Sequence, residues 1–283
     1  MSRASGAAGD YLVPSDVEQQ ILEAARAESA IGRLAREVTS DGGSTPQVPV
    51  STVHSTAAWV AENASVTGSD ETFAQVALGA FKSTTKVIVS EELAKDARVP
   101  FDAYLASEVG QRIGTLEGAA FVTARAPANR RDWSRNVTAV TAATGSATAF
   151  KLADLVTIFK ALPSQYRPRA SWIINPDDFG SLASLVDTAG ALVLPSLQGD
   201  PPSLFGRPVE VDANLAAPAA NAKSLIFGDI ATAYTIRRIA GVSVQRLEEL
   251  HSDSGQLGYR ARERVDGRVV LAEAARVLSH SAT

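Results

Sequence analysis

Three histidines, His54, His251 and His280, are the side chains best suited to proton transfer near neutral pH, and they lie far apart in the sequence. A histidine could still meet a serine and an aspartate across the fold, but the Gly-x-Ser-x-Gly elbow that presents a nucleophilic serine does not occur. Ser83-Thr84-Thr85-Lys86 has the Ser-x-x-Lys spacing of acylating enzymes. That chemistry needs a helix to stack the serine against the lysine. Here Lys82, Thr84 and Lys86 fall on one parity of a strand pattern, so the match carries no nucleophile. Asp178-Phe179-Gly180 has the letters of a kinase magnesium motif without the glycine loop, strand lysine and catalytic loop that give it meaning. With no cysteine, disulfides, thiolate nucleophiles and cysteine metal sites are excluded. No His-Glu-x-x-His, calcium loop or phosphate-binding glycine loop is present. Gly110 and Gly114, four apart inside a predicted helix, read as a close helix contact. No catalytic residue, cofactor or metal is therefore expected. The one basic-aromatic patch is Arg125, Arg130, Arg131 and Arg135 around Trp133. Tryptophan can stack on bases, but arginine and tryptophan are also the usual anchors of protein interfaces, and a partner surface is the preferred reading.

The chain has 283 residues and a net charge of −4, with 45% hydrophobic and 20% charged residues, as expected for one large or two modest globular domains. There is no global basic excess of the kind that grips nucleic acid. Arginine outnumbers lysine 21 to 6. Arginine keeps its charge when buried and suits interfaces; a GC-rich genome would give the same bias. No apolar run is long enough for a membrane-crossing helix. Met1 to Asp10 is small and polar rather than charged and then apolar, unlike a signal peptide. The protein is expected to be made and used in the cytoplasm, or in something assembled there.

These residues must be held by a recognisable series of elements. Residues 1–13 read as a flexible arm. Ser15 or Asp16 caps a helix whose narrow apolar face is Val17, Ile21, Leu22 and Ala25, and a second apolar set follows at Ile31, Leu34 and Val38. After a turn at Asp41 to Ser44, Val48, Val50 and Val53 read as extended chain. Residues 57–61 form a short strand, Glu62 to Glu71 a polar loop tip, and 73–89 a long returning strand. Such a hairpin alone buries too little to be stable in water, so it should lie on a neighbour. A short helix spans Ser90 to Ala97. Pro100 starts the best helix, with Phe101, Leu105, Val109, Ile113, Leu116 and Ala120 at helical spacing. Residues 124–149 have no clear pattern. Helix and strand then alternate: a helix over Leu152 to Leu162, a buried strand at Ala170 to Ile174, and a helix capped by Asn175-Pro176-Asp177-Asp178 that runs to about Val186. Strands follow at Val209 to Val211, Leu225 to Phe227, Ala233 to Ile239, Val242 to Leu247 and Gln256 to Val265. Asp266-Gly267 reads as a tight hairpin turn, and Arg268 to Leu271 and Ala275 to Leu278 finish the chain.

The order of these parts, with several short motifs, resembles the major capsid proteins of tailed bacteriophages that share the HK97 fold. Trp59-Val60-Ala61-Glu62 and Ser69-Asp70 resemble the start and tip of that family's E-loop. Trp172-Ile173-Ile174-Asn175-Pro176 looks like its A-domain strand-to-helix entry. Leu204 to Val209, Phe227-Gly228-Asp229 with Tyr234, and Arg262 to Gly267 match later steps. The resemblance implies an α+β, HK97-like capsid fold: an N-terminal arm (1–45), an E-loop hairpin (46–90), a first P-domain part with the spine helix (91–149), an α/β A-domain (150–250) and a second P-domain part (251–283). It implies self-assembly as hexamers and pentamers into an icosahedral shell around double-stranded DNA, held without sequence-specific binding, and no contact with a membrane. The subunit would sit in a virion capsid assembled in the bacterial host cytoplasm. A cellular shell of the same fold, an encapsulin-like compartment or a gene-transfer-agent head, is the alternative; an α/β enzyme on residues 150–250 is a third reading, with no paired acid/base motif to support it. The implied partners are the chain itself, a portal protein and, where the shell uses them, a separate scaffolding protein and a decoration protein. Candidate contacts between subunits are Trp59, Glu62, Asp70 and Glu71 on the hairpin, Lys82 and Lys86 on its return, Arg131 and Trp133, and the alternating Arg260, Arg262 and Arg264. Some members weld subunits through a Lys–Asn bond. The acceptor region, about Ser252 to Gln256, has no Asn, so noncovalent contacts are expected. Met1 leads almost directly into the arm, so scaffolding should come from a separate protein, or the chain is a trimmed form. The exit from the spine helix, Arg125 to Trp133, lacks the Gly-rich run the family would suggest.

Overall fold

The computed structural model describes residues 15–42, 45, 47–53, 72–90, 92, 101–123, 133–143, 146–247 and 255–282. Helix α1 (Ser15–Ala27) turns its apolar stripe, with Ile21 and Ala25 buried, onto the long helix α3 (Phe101–Thr123), which offers Leu105, Val109 and Ile113. The seam is set by the absence of side chains. A Cβ at Gly110 would lie 2.5 Å from the Ala24 Cβ, and one at Gly114 would lie 2.5 Å from the Ala25 carbonyl oxygen. The spacing therefore serves helix contact, as expected. Leu116 belongs to the predicted apolar repeat yet is 53% exposed. It lies two residues from Gly114, about 200° around the helix at about 100° per residue, and so faces away from the seam. The short helix α2 (Ala30–Leu34) leads into β1 (Arg36–Ser40).

β1 pairs in parallel with β10 (Tyr234–Leu247); β10 and β11 (Gln256–Val269) are antiparallel, as are β11 and β4 (Phe81–Ser90), giving a four-stranded sheet β1-β10-β11-β4. One face of this sheet, through Val87, Val89, Val244 and Ala261, packs against α1 and α3. β2 (Gln47–Val53) and β3 (Thr72–Ala77) form a separate two-stranded ribbon. A six-stranded sheet, β5-β12-β9-β6-β8-β7, is built from β5 (Ala139–Thr141), β6 (Ser171–Ile174), β7 (Ser203–Leu204), β8 (Arg207–Val211), β9 (Lys223–Gly228) and β12 (Ala275–Ser279). All four β6 side chains, Ser171 with Trp172, Ile173 and Ile174, are buried, as expected for a strand covered on both faces. Trp172 stacks on Phe227 with centroids 4.0 Å apart, and its indole N–H donates to the Leu204 carbonyl at 3.0 Å. Helices α5 (Leu152–Ala161) and α6 (Pro176–Ala183) flank this core; Asn175 caps α6 by accepting from the Asp177 N–H.

Five expectations change. The single strand over 73–89 is two strands in different sheets. The break at Leu78–Ala80 is held by Asp266, whose carboxylate accepts the Gly79 N–H at 2.6 Å, and by Arg237, which donates to the Leu78 and Gly79 carbonyls. Asp266-Gly267 is not a turn: β11 runs straight through it. Gly267 is there for close approach, because a Cβ would lie 2.6 Å from the Tyr234 hydroxyl. The two strands read at 233–239 and 242–247 are one strand, β10, with a register shift between Ile239 and Ser243. α6 stops at Ala183, and Val186 instead bridges to Leu192 around a small turn. The patternless 124–149 region contributes β5 and a four-residue helix, α4 (Trp133–Asn136); its strand is too short to show a period.

Candidate functional site

Five of the basic residues predicted as contacts, Lys82, Lys86, Arg260, Arg262 and Arg264, converge on one face of the four-stranded sheet. Directly opposite residues in neighbouring strands share a face. Lys86 lies opposite Arg260, Thr84 opposite Arg262 and Lys82 opposite Arg264, while Gln245 lies opposite Arg260 on the other side of β11. Lys82, Thr84 and Lys86 are exposed, and so is Arg264. Intervening residues such as Ser83, Ala261 and Glu263 are buried, and the face away from α1 and α3 is therefore a basic strip. Arg260 and Arg262 both donate to the Gln245 side-chain oxygen, the latter at 2.7 Å. Their Nε atoms are buried without a hydrogen-bond partner among the described residues. No described carboxylate forms an ion pair with Lys82, Lys86 or Arg264. Like charges directly opposite on a sheet are destabilising, so the strip gains from an anionic partner. Ile88, 48% exposed, adds an apolar end to it.

Trp133 is not on the surface. It is 1% exposed and stacks on Tyr234 at 5.3 Å, so its side chain packs in this chain's own core. Composition alone could not separate it from a surface anchor, because Arg130, Arg131 and Arg135 lie close to it in the sequence. Trp59, Glu62, Asp70, Glu71 and Arg131 lie outside the described residues. Gln245 was missed; its only signal was its parity beside two arginines.

The other chemical candidates resolve into structure. Ser83 is buried on the helix side of β4 while Lys86 is exposed on the opposite face, so the Ser-x-x-Lys pair never meets. His280 does find a serine and an aspartate. Its Nε2 is 2.8 Å from the Ser224 hydroxyl and 3.3 Å from Asp178, and its Nδ1 is 2.9 Å from the Ser146 carbonyl. A carbonyl only accepts, so Nδ1 carries the proton and both other groups crowd Nε2. A nucleophilic serine needs its carboxylate on Nδ1. His280, Ser224 and Asp178 are moreover fully buried, and Phe150 stacks on the imidazole at 4.0 Å. Burial raises the Asp178 pKa, with hydrogen bonding and the His280 charge opposing. The trio pins the end of β12 to β9 and α6. A cavity of about 540 Å³ lies beside Arg36, Arg169 and Asp229. The Asp229 carboxylate there is already engaged by the Thr232 N–H and hydroxyl and by Arg169 at 2.9 Å. Among the described residues no group of three His, Cys, Asp or Glu could hold a metal.

The model of the phage capsid family matches residues 9–280. A solved capsid of an empty GTA particle is 21% identical, with 99% of this chain and 96% of that chain covered and a TM-score of 0.78. Chains from Mycobacterium phage Adephagia (18% identical, 90% and 91% covered, TM-score 0.66) and Microbacterium phage Oxtober96 (16%, 90% and 91%, 0.68) share the fold. No curated protein sequence matches.

Proposed function

The chain belongs to the phage capsid family, and from that premise we propose that it is the major capsid protein of a tailed bacteriophage, assembling as hexamers and pentamers around double-stranded DNA. It is a structural shell protein. The observation that carries the assembly reading is the unneutralised basic strip of Lys82, Lys86, Arg260, Arg262 and Arg264. The segment Glu62 to Glu71 carries three carboxylates and no lysine or arginine. We read it as the partner of that strip on an adjacent copy. A contact between two different patches is heterologous, and it forms rings where its rotation closes. The ribbon β2–β3 has only two strands, which is marginal alone in water, and fits the same role. The parts expected from sequence (1–45, 46–90, 91–149, 150–250 and 251–283) then share the work: the arm and the hairpin tip reach neighbours, and the receiving sheet takes one strand from each of 1–45, 46–90, 150–250 and 251–283, backed by the long helix of 91–149. Assembly in the host cytoplasm, a portal, and separate scaffolding or decoration proteins belong to this proposal.

Negative-stain electron microscopy tests it, with the protein expressed alone and then with its neighbouring genes. Closed particles, or rings of five and six, are expected. Deleting Glu62 to Glu71 should leave a soluble protein that forms no closed shell; normal particles from that deletion would remove the hairpin from the mechanism. The GTA capsid match over nearly the whole chain favours a gene-transfer-agent head as a second reading. Sequencing the DNA recovered from particles separates the two: one repeated genome for a phage, scattered host fragments for a transfer agent.

A further inference from the structure

One guanidinium at the centre of the helix-backed sheet serves two buried carboxylates. Arg238 on β10 donates from Nη1 to Glu117 at 3.1 Å and to Glu263, and from Nη2 to Glu117 at 2.8 Å. All three are within 3% of full burial. Glu37 on β1 lies 3.3 Å from the Arg238 Nε and is held on its outer side by Arg26 of α1, at 2.6 Å. The cross-strand neighbour of Glu263 on β4 is Ser83. Its hydroxyl, like Oε2 of Glu263, has no hydrogen-bond partner among the described residues. Three carboxylates thus face two guanidiniums, with Glu117, Arg238 and Glu263 out of bulk water and the Glu37–Arg26 pair partly exposed at the edge. Two carboxylates on one buried cation do not both ionise readily; they share a proton.

We propose that Glu117, Arg238 and Glu263 form a proton-loaded latch tying α3 to the four-stranded sheet, closed while the two carboxylates share one proton and loosened when that proton passes to bulk water. Burial, then the charge of Glu117, pushes Glu263 up to about 8, with Arg238 opposing. Burial works against the charge of Arg238, and the two glutamates outweigh it, so the guanidinium stays charged. The folded value of Glu263 lies above its unfolded value of 4.5. Its contribution to stability is complete below that value and is lost as the pH rises to about 8. The latch depends on the fold alone, so its failure would leave the shell reading untouched.

The test is the number of protons released when the full chain unfolds near pH 6.5, where the wild type should release about one more than E263Q. Equal release overturns the latch. If E263Q does not fold, E117Q serves instead: burial still raises Glu263, but losing the Glu117 charge lowers it, so release near pH 6.5 should fall below that of the wild type, and unchanged release overturns the latch. In wild-type protein labelled with ¹³C-glutamate, the infrared band of a protonated glutamic acid should be present at neutral pH and vanish on alkaline titration. Its absence at neutral pH also overturns the proposal. Trp133, in the seam between α3 and β10, gives the mechanical readout. Tryptophan fluorescence should shift through the same titration in the wild type and stay flat in E263Q; a flat wild-type trace while the proton leaves would show that the cluster holds a proton but latches nothing.

Discussion

At Gly114 the missing methyl group decides whether two helices can touch. A Cβ there would lie 2.5 Å from one backbone atom of α1 and 2.9 Å from another, and backbone cannot step aside as a flexible side chain can. Gly114→Ala should destabilise the subunit by about 1–3 kcal/mol through overpacking. Gly180, inside α6, is the control, because nothing lies within 4 Å of its would-be Cβ. Gly180→Ala should gain up to about 1 kcal/mol from helix propensity. Urea unfolding midpoints should move down for the first and up for the second; equal midpoints would mean the α1–α3 seam is not tight. The helical spacing of Gly110 and Gly114 was legible in the sequence. The role of Gly267 was not: Asp-Gly between two strands has the composition of a turn, and only the Tyr234 ring against it shows why glycine is needed.

Among the elements, β4 and β11 carry the assembly argument. Alternation in Gln256 to Val265 was plain in the sequence, and so was the shared parity of Lys82 and Lys86. What could not be read was that the two strands pair in the register that sets lysine opposite arginine twice. Lys82→Glu with Lys86→Glu would turn those repelling pairs into attracting ones, gaining the folded subunit about 0.2–1 kcal/mol each. The same change should abolish closed particles. A thermal melt and an electron micrograph of the double variant separate the two effects: a stable subunit without shells is expected, and shells at wild-type yield would show that the strip is not an interface. Wild-type assembly should also weaken with added salt, since exposed charge contacts are screened over about 10 Å at 0.1 M.

For the molecule as a whole, noncovalent contact is the expected hold of the shell. The region Ser252 to Gln256 has no asparagine to accept a lysine, although Lys82 and Lys86 are exposed. Particles boiled in SDS should therefore run as a single band at the 29.6 kDa of the chain. A ladder of multimers would reveal a covalent weld by another acceptor. At His280, Ser224 and Asp178 the fold does bring together the residue types of a catalytic triad. The right residue types do meet, but inside the core and on the wrong ring nitrogen.

The sequence by itself determined the run of elements from α1 to β12 wherever one face alternates or repeats, because period 2 and period 3.6 are local properties of a chain against a core. It also excluded thiol chemistry outright, and the order of its motifs identified the family. Tertiary structure alone decided the rest. It split residues 73–89 between two sheets, drew Trp133 inward, carried β11 through Asp266-Gly267 and gathered Glu117, Arg238 and Glu263 around one charge. Each of these depends on which distant segment lies opposite, and pairing across more than a hundred residues leaves no period in the chain to read.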